Sequence, residues 1–146
     1  MDTSTPEGHL LIKVASPEGL AFSAPALSVE LQTADGIIQV LPGHVDLATA
    51  LTAGEMIIRS EKSENVFALG DGFASISADV ITILADFAQD EASMVVDDIE
   101  RAKDRAEAAL RDAGNISEDE RYNLEFTIRR SAIELLVKRK REKQSA

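Results

Sequence analysis

Asp35-Gly36-Ile37-Ile38-Gln39-Val40-Leu41-Pro42-Gly43-His44-Val45-Asp46-Leu47 is the most telling run of the chain. Asp-Gly is a turn dipeptide, because glycine accepts the positive φ of a tight hairpin. The apolar-rich run Ile37 to Leu41 is short enough for one strand, and Pro42-Gly43 then reverses the chain again, leaving His44 just beyond. Two sharp turns so close together are expected to bring two loop tips to one end of the sheet that this strand joins. Such a surface suits docking better than chemistry, since its one potential catalyst is a lone histidine. Taken alone, the stretch is first of all an ordinary pair of β-turns.

The residues on either side extend the same pattern. Leu10 to Ala15 is apolar and runs into the turn cluster Ser16-Pro17-Glu18-Gly19. Leu27, Val29 and Leu31 alternate with Ser28, Glu30 and Gln32, the period-2 signature of a sheet with one wet face. Further short segments follow at Leu47 to Leu51, Glu55 to Ser60, Val66 to Leu69, Phe73 to Ser77 and Val80 to Leu84. Ala53-Gly54, Gly70-Asp71-Gly72 and Ala78-Asp79 separate them. Closely spaced strands with regular turn signals indicate an antiparallel sandwich or flattened barrel. No helix-length segment interrupts them, which argues against a parallel α/β sheet. Gly70-Asp71-Gly72-Phe73 joins two strands, so it reads as a turn and not as a phosphate cradle.

Beyond Ala88 the period changes. From about Glu91 to Ala113, the residues Val95, Ile99, Ala102, Ala106, Ala109 and Ala113 recur at helical spacing, with Gly114 in place as a C′ residue. Ser117-Glu118-Asp119-Glu120 has the Ser-x-x-Glu form of a capping box, and a second helix is expected from there to about Arg141. It carries two apolar arcs: Tyr122, Phe126, Ile133, Leu136 and Val137 on one, and Leu124, Ile128, Ala132 and Leu135 on the other. Either both arcs pack within the protein, or one is kept for a second location or a partner. The alanine-rich seam of the first helix buries little area, so the hairpin is expected to be weakly held. The expected architecture is α+β: an N-terminal antiparallel β-sandwich of about ten short strands over residues 9–88, then a C-terminal two-helix antiparallel hairpin over residues 91–141.

Composition limits the chemistry. The formal charge of −11 argues against a general nucleic-acid binder. Up to Ala88 there are 3 basic against 12 acidic residues; from Gln89 onward there are 12 against 14, with the basic ones concentrated between Arg129 and Lys143. The absence of cysteine excludes disulfides, thiolate catalysis and Cys-ligated metal sites. Two histidines, His9 and His44, do not make a multi-histidine metal site. Met1 to Gly8 has neither a basic nor an apolar region of a secretory signal, and no apolar run approaches the roughly 20 residues that span a bilayer. His44 and Asp46 lack a nearby nucleophile and are weak evidence for a catalytic dyad.

The order of motifs carries a resemblance. Asp35-Gly36, Val40-Leu41-Pro42-Gly43-His44, then Leu47, Leu51 and Gly54 are followed by Phe67-Ala68, Gly72-Phe73 and Val80-Ile81-Thr82-Ile83-Leu84-Ala85-Asp86-Phe87-Ala88. Asp98-Ile99-Glu100-Arg101-Ala102 completes the series. Over nearly the whole chain from about Leu10, this resembles the epsilon subunit of bacterial F-type ATP synthases, whose fold is a ten-stranded β-sandwich with a C-terminal two-helix hairpin.

The resemblance implies a non-catalytic rotor component that needs no cofactor and couples the gamma subunit to the membrane c-ring during ATP synthesis driven by ion transport, in a proton-transporting type of complex. Asp35, Gly36, Ile37, Ile38, Pro42, Gly43 and His44 would form its c-ring-facing loops. The hairpin would restrain ATP hydrolysis by extending toward the catalytic alpha/beta hexamer, with Arg129, Arg130, Lys138, Arg139, Lys140 and Arg141 as inhibitory contacts. Some family members bind ATP through an Ile/Leu-Asp-x-x-Arg-Ala motif. Here Asp98, Arg101 and Ala102 match, Asp97 replaces the apolar position, and Arg129 and Arg130 would supply further cations. Asp98 and Arg101 fit a local ion pair equally well. The implied location is peripheral, on the cytoplasmic face of the inner (plasma) membrane, reached only through the complex and without nucleic-acid partners. The alternative is a stand-alone β-sandwich interaction module with a helical partner-binding appendage.

Overall fold

Each segment identified as a strand from its apolar pattern forms one in the computed structural model of the chain, which describes residues 5–145 with the side chains of Leu20, Ala21 and Ser145 left aside. The first four residues of the Met1 to Gly8 stretch lie outside the described residues. The strands are β1 (Leu10–Ser16), β2 (Gly19–Ala26), β3 (Ser28–Thr33), β4 (Gly36–Val40), β5 (Leu47–Leu51), β6 (Gly54–Arg59), β7 (Glu64–Leu69), β8 (Gly72–Ser77), β9 (Val80–Ala85) and β10 (Ala88–Asp90). A 3-10 turn, Glu91–Ser93, precedes α1 (Val96–Asp112) and α2 (Glu118–Ser145). The chain divides into two compact units, Met1–Asp90 and Glu91–Ala146.

The strand order is β10-β7-β6-β3-β5-β8-β9-β1-β2, with β4 pairing β3 off this path. β3 makes the fold double: Ser28 to Glu30 pair with β6, whereas Thr33 pairs with Leu51 of β5. The sheet therefore turns onto itself, and alternate residues of its strands meet inside. Leu10, Ile12, Val14, Leu31, Met56, Ile58, Ile76, Ile81 and Ile83 are fully buried there, which is what their period of two requires.

β2 and β10 escape a reading of periodicity, for different reasons. β2 contains Pro25, which has no N–H for a ladder, but β2 ends the strand order and can leave that side unpaired. β10 is only three residues long and is defined by its pairing with β7. One pairing is also not antiparallel, since β1 runs parallel to β9 from Leu11↔Val80 to Ala15↔Leu84.

The expectation that the two turns around β4 meet at one end of the sheet is overturned. Gly36 pairs with Thr33 at one end of β4 and Val40 pairs with Val29 at the other. At about 3.4 Å per residue, the two ends of β4, each leading into one of the turns, thus stand roughly 14 Å apart along the strand. β4 is an edge strand with a turn at each end.

The helical unit also departs from its pattern in detail. Val95 is the N-cap of α1, extended at φ −117° and without a capping side-chain bond, and it is exposed instead of lying in a seam. Ala109 is exposed too, while Ala106 is buried and Ile99 and Ala102 are half-buried. α1 ends at Asp112, and the following Ala113 is extended (φ −68°, ψ 123°). Gly114 does stand at C′, directly after the C-cap Ala113, but it is not left-handed and so does not form a glycine αL cap. At the second cap the serine half of the expected box forms, with the Glu120 amide donating to Ser117 Oγ at 3.1 Å. α2 continues past Arg141 to Ser145. Of its two apolar arcs, Tyr122, Ala132 and Leu136 are exposed while Leu135 and Val137 are buried, together with Ser131 and Glu134.

Candidate functional site

The edge strand and its turns form the first candidate surface. Gly36 (φ +119°) and Gly43 (φ +86°) both take backbone conformations that side chains resist. The first turn is tied by Thr33, whose hydroxyl donates to the Gly36 carbonyl at 2.7 Å and accepts from the Asp35 amide at 3.2 Å. The second turn is closed by the His44 amide on the Leu41 carbonyl at 3.1 Å. It is tied to the β8–β9 hairpin by the Gly43 amide, which donates to Asp79 Oδ1 at 2.7 Å. His44 Nδ1–H donates to the Val45 carbonyl at 2.6 Å, not to Asp46, so the imidazole is a turn element and not half of a dyad. Along this edge and just past its second turn apolar side chains are exposed: Ile37 at 67% and Val45 at 75%, with Leu41 also exposed. Ile38 is half-buried and packs against the core.

A second surface lies on the outward face of β5, β8 and β9. Register pairing lines up Ala50, Phe73 and Leu84 across the three strands, beside Ala48, Ser75 and Thr82. These six residues line a shallow groove of ≈ 420 Å³, in which Phe73 is 68% exposed. Sequence reasoning missed this surface. Its signal was present: Phe73 and Leu84 alternate with buried Ala74 and Ile83, which puts two large apolar side chains on the wet face.

The helical unit does not gather its sequence-predicted residues into one pocket. Arg101 Nη2 donates to Asp98 Oδ1 at 2.7 Å, the local i,i+3 pair. With Asp104 and Arg105 these two line an open groove of ≈ 490 Å³, and Ala102 is half-buried. Arg129 lies over the rings of Tyr122 and Phe126, at 5.9 and 5.6 Å from their centroids, and Arg130 pairs with Glu134 at 3.7 Å. Both α2 arginines are therefore engaged on their own helix. Lys138 Nζ contacts Glu91 Oε1 at 3.0 Å and Arg139 Nη2 contacts Glu100 Oε1 at 2.6 Å. Arg141 donates to Gln144 at 3.1 Å, and Lys140 is exposed. The two cross-hairpin carboxylates, Glu91 and Glu100, were not singled out by the sequence, because only their partners stand in a conspicuous charge run. Among the described residues, no group of three His, Cys, Asp or Glu side chains is placed to hold a metal, and no helix is long and apolar enough to cross a membrane.

Residues 9–91 match the family profile described as ATP synthase, Delta/Epsilon chain, beta-sandwich domain. An ATP synthase epsilon chain of Endomicrobium trichonymphae is 31% identical over 126 residues, covering 85% of this chain and 88% of that one. One from Alkalihalophilus pseudofirmus is 32% identical over 99 residues, covering 68% and 74%. Among solved structures, a chain of the Euglena gracilis mitochondrial ATP synthase (OSCP/F1/c-ring, rotational state 1) aligns over 100% of this chain and 86% of its own, at a TM-score of 0.62 and 17% identity. That likeness speaks for the fold.

Proposed function

The chain belongs to the ATP synthase delta/epsilon family, and from that premise we propose that its β unit couples the gamma subunit to the membrane c-ring while its hairpin restrains ATP hydrolysis. As an epsilon-type chain it is a structural or regulatory component of the membrane-bound synthase and not its catalyst. In the proposed assembly the exposed edge from Asp35 to His44, continuing to Val45, faces the c-ring, and the Phe73–Leu84 face receives gamma. The single observation that carries the reading is the edge itself, where outward-facing Ile37 lies between two hydrogen-bonded turns and exposed Leu41 and Val45 flank the second of them. Exposed apolar side chains on a stiff frame suit a contact that transmits force.

The hairpin's cations supply the proposed brake. To reach the alpha/beta hexamer, Lys138 and Arg139 would exchange Glu91 and Glu100 for acidic groups on the hexamer. An ATP phosphate would have to displace Asp98 from Arg101 with Asp104 lining the same groove, which disfavours regulation by ATP. The complex places the chain on the cytoplasmic face of the inner membrane in this reading.

The test uses the assembled synthase in inverted vesicles. Ile37→Glu should lower proton pumping per ATP hydrolysed without moving the melting temperature of the isolated subunit; equal loss of both defeats the coupling role. Removing the residues after Gly114 should raise ATP hydrolysis, and unchanged hydrolysis removes the inhibitory role.

A further inference from the structure

The loop between β4 and β5 has little to hold it. No strand pairing covers Leu41 to Asp46, and the turn is closed internally by the His44 amide on Leu41. With φ at +86°, Gly43 turns its amide away from that internal bond and toward a carboxylate far along the chain, Asp79 Oδ1 at 2.7 Å. This length is that of a charge-assisted hydrogen bond, stronger than one between neutral groups.

The acceptor is itself unusually well fixed. Ala78 (φ 52°) and Asp79 (φ 64°) are both left-handed and form the two-residue loop closed by the Ser77↔Val80 pair, the geometry of a type I′ hairpin. The Asp79 carbonyl accepts the Leu11 amide at 2.8 Å, so β1 holds the same residue from its other side. One aspartate thus binds three chain segments: its own hairpin, β1 and the Pro42-Gly43 turn.

We propose that Asp79 is a positioning residue that locks the Pro42-Gly43-His44 turn, and through it the exposed Leu41 and Val45, into the shape the c-ring contact requires. This rests on the ring-facing reading above. Asp71 provides an internal comparison. Its Oδ1 accepts the Ala53 amide at 2.8 Å and its carbonyl accepts the Asp86 amide at 2.9 Å, a similar tie at the β5–β6 turn and away from Pro42–His44.

Three full-length variants test the lock. Asp79→Asn keeps an acceptor oxygen and tolerates the left-handed backbone. Asp79→Gly tolerates that backbone but has no acceptor. Asp71→Ala removes the comparison bond. Gly43 amide exchange is followed by NMR on the isolated chain, and pumping per ATP hydrolysed is measured in vesicles carrying the assembled synthase. In Asp79→Gly, the Gly43 amide should exchange about tenfold faster or more. Its pumping ratio should fall by roughly half or more. Asp79→Asn should restore both, and Asp71→Ala should lower the melting temperature while leaving pumping intact.

Unchanged Gly43 exchange in Asp79→Gly overturns the lock, as does faster exchange with full pumping. Pumping lost equally in Asp71→Ala overturns it too, because the effect would then be general stability. Val45→Asp separates the two proposals. If it lowers pumping and Asp79→Gly does not, only the lock fails; if it leaves pumping intact, the ring-facing reading fails and the lock with it.

Discussion

The β unit and the helical hairpin differ in what holds them. Among the described residues, the largest fully buried side chains, from Leu10 to Ile83, all belong to the β unit. The helical unit buries Met94, Ala106, Leu135 and Val137, and adds the Lys138–Glu91 and Arg139–Glu100 pairs across the hairpin. Full burial of a branched or aromatic side chain is worth about 1.5–3 kcal/mol. An exposed ion pair such as Arg139–Glu100, with side chains 61% and 43% accessible, is worth about 0–1 kcal/mol. A body stabilised by burial keeps its shape under load; one held partly by surface charge can be released by other charges.

Ile83→Ala opens a cavity in the fully packed interior of the β unit and should cost about 2–5 kcal/mol, read from denaturant unfolding. A cost below about 1 kcal/mol would mean that the interior is not close-packed. Next comes the double variant Glu91→Gln, Glu100→Gln, which removes both cross-hairpin charges. It should lower hairpin stability by about 1–2 kcal/mol, with faster amide exchange in α2 and unchanged exchange in the β strands. Raised salt should reproduce part of that effect in the unmodified chain, since exposed pairs are screened.

Within the hairpin, Ser117→Ala touches only the start of α2. Losing the Glu120 amide's partner should cost about 1 kcal/mol and fray the first turn of α2, visible as lost amide protection at its N-terminus. The smallest expected effect is that of MgATP. Asp98 already neutralises Arg101, and Asp97 and Asp104 stand nearby in sequence, so millimolar MgATP should leave the melting curve of the isolated chain nearly unchanged. A clear rise would show that the pair yields to phosphate.

Strands whose residues alternate, such as Val29 and Leu31 in β3 or Ile81 and Ile83 in β9, were legible because burial on one face imposes a period of two. β2 was not, since Pro25 and the small residues around it blur that period, and only the pairing partner β1 reveals it. The turns at Asp35-Gly36 and Pro42-Gly43 were readable as turns. Their separation was not, because a local reversal says nothing of which end of a strand it occupies until the strand's own length is counted. The cation run of α2 was conspicuous, but the carboxylates that occupy it lie 39 and 47 positions earlier, beyond any local pattern. The Gly43–Asp79 bond, 36 positions long, was hidden for the same reason.

The parallel pairing of β1 with β9 has a consequence for how the chain is made. β1 lies between β2 and β9, so one flank of the first strand is served by its hairpin partner soon after emerging from the ribosome. The other flank must wait until Val80 to Leu84 have been translated. Throughout that interval Leu10, Ile12 and Val14 lack the cover of Ile81 and Ile83, and a nascent chain stalled before β9 presents a half-finished apolar seam to its surroundings. Joining β1 to β9 is then a late, long-range event, after which only β10 is still to be added to the β unit, and the helices are synthesised later still.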